Sequence, residues 1–149
     1  MIKLDDALKN IYLVAFDTAP IIYFVEANPI YDALVTGIFQ RIDDGKNAGL
    51  TSVISLCEVL VHPIRNHNQI LKQRYLDILQ NSPNFFTKFI NSSIAETAAE
   101  LRVKYNLRTP DALQIATALE NNSEAFLCND NGLKRVTELQ ILILDELEL

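Results

Sequence analysis

The sequence predicts an α/β fold: a central, mainly parallel five-stranded sheet with helices on both faces. Three observations carry that expectation. Short uninterrupted apolar runs recur along the chain, as strands buried on both faces require. Segments of helical period separate them, which is the alternation of βαβ units. Polar or proline-containing junctions divide the two kinds.

Taken in order, Tyr12–Phe16 is the first strand, ending at a polar residue. Ala19–Val25 follows as a helix with Pro20 near its start, where proline is tolerated. Tyr31–Ile42 is an amphipathic helix through Leu34, Val35, Ile38, Phe39 and Ile42, closed by Asp43-Asp44-Gly45. Leu50–Val53 is the second strand, and Ser55–Val61 a helix that stops before Pro63. Residues 65–68 form a connection, and Ile70, Leu71, Tyr75, Ile78 and Leu79 mark the next helix. Phe85–Ile90 is the third strand. Ser92 or Ser93 caps the following helix, with Glu96 completing a capping box from Ser93. Thr109-Pro110-Asp111 reads as a helix start, with Thr109 as N-cap and an acid beside the positive helix end. Ala125–Cys128 is the fourth strand, Leu133–Val136 a helical turn and Ile141–Leu144 the fifth strand.

Length and composition bound the rest. The chain has 149 residues, 49% hydrophobic and 21% charged, with no repeat or linker that would split it. One domain over residues 1–149 is expected, large enough to bury about 68–70% of its unfolded surface. Two cysteines give no disulfide framework, and a Cys57–Cys128 bridge is not expected in a reducing cytosol. The apolar stretch 11–25 is broken by Asp17, Thr18 and Pro20, and it falls short of the roughly 20 residues of a membrane span. No secretory leader is read, because Asp5 and Asp6 follow Lys3 at once. A cytoplasmic protein without membrane association is expected. The net charge of −6 argues against broad coating of nucleic acid, though not against a local groove.

Four acids fall where open α/β sheets bind ligands, beyond the carboxyl ends of the strands. Asp17 ends the first strand, and Asp130 lies just past the fourth. Glu58 sits in the helix after the second strand, and Asp111 in the first turn of the helix before the fourth. Each has a plain structural explanation. Asp17 could cap a helix, Asp111 suits a helix N-terminus, and Asp130 lies in the turn-like Asn129-Asp130-Asn131-Gly132. Glu58 is the exception, an acid inside the apolar run 53–61. Two ionised carboxylates about 4 Å apart repel by roughly 4 kcal/mol at an effective dielectric of about 20. Four converging acids therefore call for protonation or a cation, and oxygen-only ligands select Mg²⁺ or Mn²⁺.

The segments carrying these acids, 14–23, 51–59, 108–118 and 126–133, together resemble the PIN domain, the nuclease fold of VapC-type toxins. The resemblance implies a three-layer fold with strand order 3-2-1-4-5 and an Mg²⁺-dependent endoribonuclease (Mn²⁺ as a possible substitute). Products would carry a 5′-phosphate and a 3′-hydroxyl. It implies an acidic quartet of Asp17, Glu58, Asp111 and Asp130. Asp17 and Asp111 would be metal ligands, Glu58 a ligand or the residue orienting the attacking water, and Asp130 the residue completing the shell for one ion or two. Thr18 matches the hydroxyl residue that follows the first acid in the family, which implies a substrate-binding role. Cys128 departs from the Thr or Ser usual two residues before the last acid, and a thiol is a weak hydrogen-bond partner. An RNA substrate, a small antitoxin partner and a homodimer with contacts in 30–42 follow from the same resemblance. The alternative is a non-catalytic PIN scaffold that binds RNA or protein.

Other polar residues take lesser roles. Lys134 and Arg135 are placed to touch a substrate phosphate or to be solvated charge, and Arg65, Arg102 and Arg108 share that ambiguity. His62 and His67 read as structural, with no Ser or Cys partner constellation. Cys57 is expected to be a small buried packing residue.

Overall fold

In the computed structural model, which describes residues 1–149, the chain opens with a two-residue strand, β1 (Ile2–Lys3), and a short helix, α1 (Leu4–Leu8). The first crossover runs β2 (Leu13–Phe16), α2 (Thr18–Val25), α3 (Asp32–Asp43) and β3 (Ala48–Ser52). The next is α4 (Val53–Arg65), α5 (Gln69–Asn81) and β4 (Phe85–Lys88), followed by α6 (Ser92–Tyr105), α7 (Thr109–Glu120) and β5 (Ala125–Cys128). A 3-10 turn at Asn131–Arg135 leads to β6 (Gln140–Ile143), and a second at Leu144–Glu146 to β7 (Leu147–Glu148).

Five strands form one sheet in the order β4-β3-β2-β5-β6, every neighbouring pair parallel. Numbered along the chain within that sheet, the order is 3-2-1-4-5. Side chains of β2 alternate between two cores, as the period of a strand demands. Val14 and Phe16 face a layer built from α1 to α5, with Ile21, Val35, Ile38, Tyr75 and Leu79 buried there. Ala15 faces the opposite layer of α6 and α7, with Ile94, Leu101, Ile115 and Ala116. The α/β architecture expected from the alternation is the one observed. No helix is long and apolar enough to cross a membrane.

Several element ends differ from expectation, each for a local reason. β3 starts two residues early and stops at Ser52, because the Ser52 hydroxyl accepts the Ile54 N–H at 3.1 Å and caps α4. Val53 is therefore helical. α4 also runs through Pro63 to Arg65. Proline removes one i→i−4 bond, and this close to the helix end the chain tolerates the loss. Neither serine caps α6: its first helical bond runs from Ala95 N–H to Asn91 O, and Asn91 Oδ1 accepts the Ile94 N–H. Ser93 donates instead to Glu120. Likewise Ala112 N–H bonds back to Arg108 O at 3.0 Å, so Arg108 rather than Thr109 stands at the N-cap of α7.

Cys57 is exposed, against the expectation of burial, while Cys128 is buried; both are free thiols. The buried stripe of α4 is Ser55, Val59 and Pro63, at intervals of four, which turns Cys57 outward. The parallel pair of β1 with β7, Ile2 opposite Leu147, had no periodic signal to announce it.

Candidate active site

The carboxyl ends of β2 and β3 and the first turn of α7 converge on one cleft. β2 ends at Phe16, but the Asp17 N–H still pairs with Leu127 O at 2.9 Å, which fixes the Asp17 side chain at the sheet edge. Asp17 also caps α2, its Oδ1 accepting the Thr18 N–H at 2.9 Å. The cleft, of about 290 Å³, is lined by Asp17, Thr18, Glu58, Arg108, Asp111 and Gln114 among others. Asp130 lies outside that lining. It caps the 3-10 turn after β5, its Oδ1 accepting the Gly132 N–H at 2.8 Å, yet its charge still acts on Asp17. Three of the four acids thus share one cavity, and the fourth stands at its margin.

Electrostatics mark Asp17 as the centre of the group. Burial, the largest cause, pushes its carboxyl from the ordinary 3.8 up to about 6. The Thr18 N–H opposes that shift, and the charges of Asp111, Glu58 and Asp130 add to it. Asp111 is also mostly covered, its side chain 13% exposed, whereas Glu58 and Asp130 are exposed residues. No three acidic, histidine or cysteine side chains stand as a ready-made ligand cage. Fit to a metal therefore rests on donor chemistry and charge. The donors are carboxylate oxygens alone, which suits a hard divalent ion, and the repulsion raising Asp17 is what such an ion would relieve.

A buried hydrogen-bond network underlies the acids. Thr18 is buried, and its hydroxyl donates to Glu58 Oε1 at 2.7 Å while lying 2.9 Å from Ser55 Oγ. Thr51 Oγ1 lies 2.9 Å from Phe16 O and 2.8 Å from Ser55 Oγ. Gln114 Nε2 donates to Ser55 Oγ at 2.6 Å, and its Oε1 accepts from Ser52. No buried side-chain nitrogen or oxygen in the chain is left unpaired. Thr18 therefore holds Glu58 from below.

Sequence reasoning assigned no role to Gln114, Thr51, Ser52 or Ser55. A signal existed: Gln114 follows Asp111 by one helical turn and sits among the buried Ala112, Ile115 and Ala116. A polar amide on an apolar face needs a partner.

The cations are disposed unequally. Lys134 pairs with Glu146, and Arg135 is spent on the backbone carbonyls of Tyr105 and Gly132. Arg108 is the single cation lining the cleft, its Nε donating to Asp111 Oδ2 at 3.1 Å. Cys128 Sγ lies 3.8 Å from the backbone carbonyl of Asp130, and burial pushes its thiol up to about 12, so it stays protonated at neutral pH. His62, in the last turn of α4, and His67, beyond its end, are exposed, and neither lines the cleft.

Comparison with known proteins bears on the family and the fold. A family model described as "PIN domain" matches residues 14–139. No curated protein matches the chain in sequence. Among solved structures, VapBC2 from Rickettsia felis bound to a promoter DNA fragment is similar with a TM-score of 0.70 and 16% identity, over 87% of this chain and 96% of that one. A toxin–antitoxin complex from Klebsiella pneumoniae gives 0.68 and 23%, over 88% and 97%. The sarcin–ricin-loop-cleaving toxin VapC20 of Mycobacterium tuberculosis gives 0.66 and 14%, over 85% and 98%. At these identities the likeness is one of fold.

Proposed function

The chain belongs to the PIN domain family, and on that premise we propose that it is an Mg²⁺-dependent endoribonuclease acting as the toxin of a VapBC-type pair. The observation that carries the reading is Asp17, a largely buried carboxyl raised toward neutrality by its burial and by three neighbouring acids. Perturbed groups in a cleft are the signature of a site built for charge.

Asp17 and Asp111 are the residues assigned to hold the ion, with Asp130 completing the shell from its turn. Glu58 Oε1 is engaged by the Thr18 hydroxyl, which leaves Oε2 to face the ion or to orient the attacking water. Held by these acids, Mg²⁺ would supply positive charge to the phosphate and lower the pKa of a water for attack. Asp17 on the end of β2 and Asp111 on α7 hold their carboxylates on rigid elements, so little reorganisation accompanies binding.

The assay is cleavage of a mixed RNA pool with Mg²⁺ or Mn²⁺, with chelator, and with Asp17→Asn and Asp111→Asn. Loss of cleavage in chelator and in both variants supports the reading. Cleavage surviving chelator, or surviving in a folded Asp17→Asn protein, overturns it. Binding of RNA without cleavage under every metal favours the non-catalytic scaffold.

An antitoxin partner is supported by the fold neighbours that are toxin–antitoxin complexes. A groove of about 320 Å³ between α3 and α5, whose wall mixes Phe24, Phe39 and Ile78 with Gln40, Asp43 and Arg74, is a candidate seat for it. A homodimer is proposed around residue 30. Most of the 30–42 stripe is spent on the core, but Ile30 is 78% exposed beside Met1 and Leu149.

A further inference from the structure

Arg108 is 78% exposed in its side chain, and its one hydrogen bond runs from Nε to Asp111. Both terminal amino groups of its guanidinium are without a protein partner at the mouth of the cleft. Every other lining side chain that carries charge is an acid. Lys134 and Arg135, the other cations near the last acid, are already held by Glu146 and by backbone carbonyls. Asp111 is mostly covered, but the guanidinium that pairs with it lies in solvent, which screens the pair and limits what it adds to folding.

We propose that Arg108 has two alternating partners: Asp111 in the metal-free protein, and the RNA phosphate once a divalent ion occupies the acids. The inference rests on the nuclease reading and adds to it the residue that seats the substrate. In the first state the guanidinium is a resident counter-ion that an incoming cation must displace from Asp111 Oδ2. In the second, cation and guanidinium repel, and the guanidinium is released toward solvent. There it presents a planar fork of donors that matches a phosphate bidentately, which an ammonium does not. Arg108 is one residue before α7, so it reaches the phosphate without moving the helix that holds Asp111.

The test uses the full chain with Arg108→Gln and Arg108→Lys. Mn²⁺ is titrated without RNA, and a labelled mixed-sequence RNA oligonucleotide is titrated in Ca²⁺ by fluorescence anisotropy. Arg108→Gln should bind Mn²⁺ roughly tenfold more tightly, the effect of removing one unit charge a few ångströms from a divalent ion in a solvated cleft. It should bind RNA about tenfold more weakly, the order expected for one lost charge-assisted contact. Arg108→Lys should restore much of the Mn²⁺ behaviour but only part of the RNA affinity. A structural role moves the metal titration the other way or not at all, so unchanged or weaker Mn²⁺ binding overturns the counter-ion role. Unchanged RNA affinity, or a wild type that binds no RNA, overturns the phosphate role. Failure of the nuclease reading shows separately, as a wild type that binds Mn²⁺ and RNA without cleaving; both arms then still decide Arg108.

Discussion

Replacing Asp17 by Asn should stabilise the metal-free protein, and only above a certain pH. Asp17 titrates near 6 in the folded chain against 3.8 ordinarily. A carboxyl raised on folding means that the native state binds more protons than the unfolded one between those values. Stability therefore falls as pH rises from about 3.8 to about 6 and is level beyond. Each pH unit is worth about 1.4 kcal/mol, so the whole interval is on the order of 3 kcal/mol. Asn keeps the Oδ1 acceptor that the Thr18 N–H uses at 2.9 Å, so the cap of α2 survives the change. The assay is thermal melting of both proteins in chelator from roughly pH 3 to roughly pH 8, which brackets both values. The two should melt alike at the acid end, and the variant should gain with rising pH. At about 2–4 °C per kcal/mol for a chain of this size, the full gain is several degrees. A difference independent of pH, or a variant that melts lower at neutral pH, refutes the argument that burial and neighbouring acids strain Asp17.

Three further outcomes are expected. Thr18→Val keeps the shape but leaves Ser55 and Glu58 Oε1 without their shared partner, so urea unfolding should show a loss of about 1–3 kcal/mol. Gly49→Ala would bring a Cβ to 2.7 Å from Phe85 Cδ2 and 2.9 Å from Ile42 Cδ1; overpacking of this sort costs about 1–3 kcal/mol, read in the same experiment. Light scattering after size exclusion should give twice the monomer mass at micromolar concentration, and Ile30→Asp should shift it toward monomer; a wild type that is monomeric throughout contradicts the dimer.

How far the sequence carried depended on the kind of signal. The apolar runs at 13–16 and 125–128 are buried on both faces of a parallel sheet, and such strands announce themselves. The alternation with helices implied a parallel sheet and the resemblance its strand order, and the sheet has both. Helix starts were less legible, because capping depends on which carbonyl takes the first helical bond. Thr109 and Ser93 have the chemistry of caps, but Arg108 and Asn91 hold those positions. Cys57 was misjudged because hydrophobicity was read without phase: α4 buries Ser55 and Val59 and turns Cys57 out. At the site, the acids were visible by their spacing beyond strand ends. The Thr18–Ser55–Gln114 network was not, since it joins residues far apart in the chain through contacts only the packed layers create. Nor could sequence separate Arg108 from Arg135; that distinction lies in what each guanidinium already holds.

The most direct test is a crystal soaked in Mn²⁺ and measured at the manganese edge, where the ion reports its own position. An anomalous peak in the cleft, ligated by Asp17 and Asp111 with Glu58 and Asp130 around it and abolished in Asp17→Asn, is the predicted result. A cleft without a peak at millimolar Mn²⁺, or a peak held by residues other than these acids, contradicts the account.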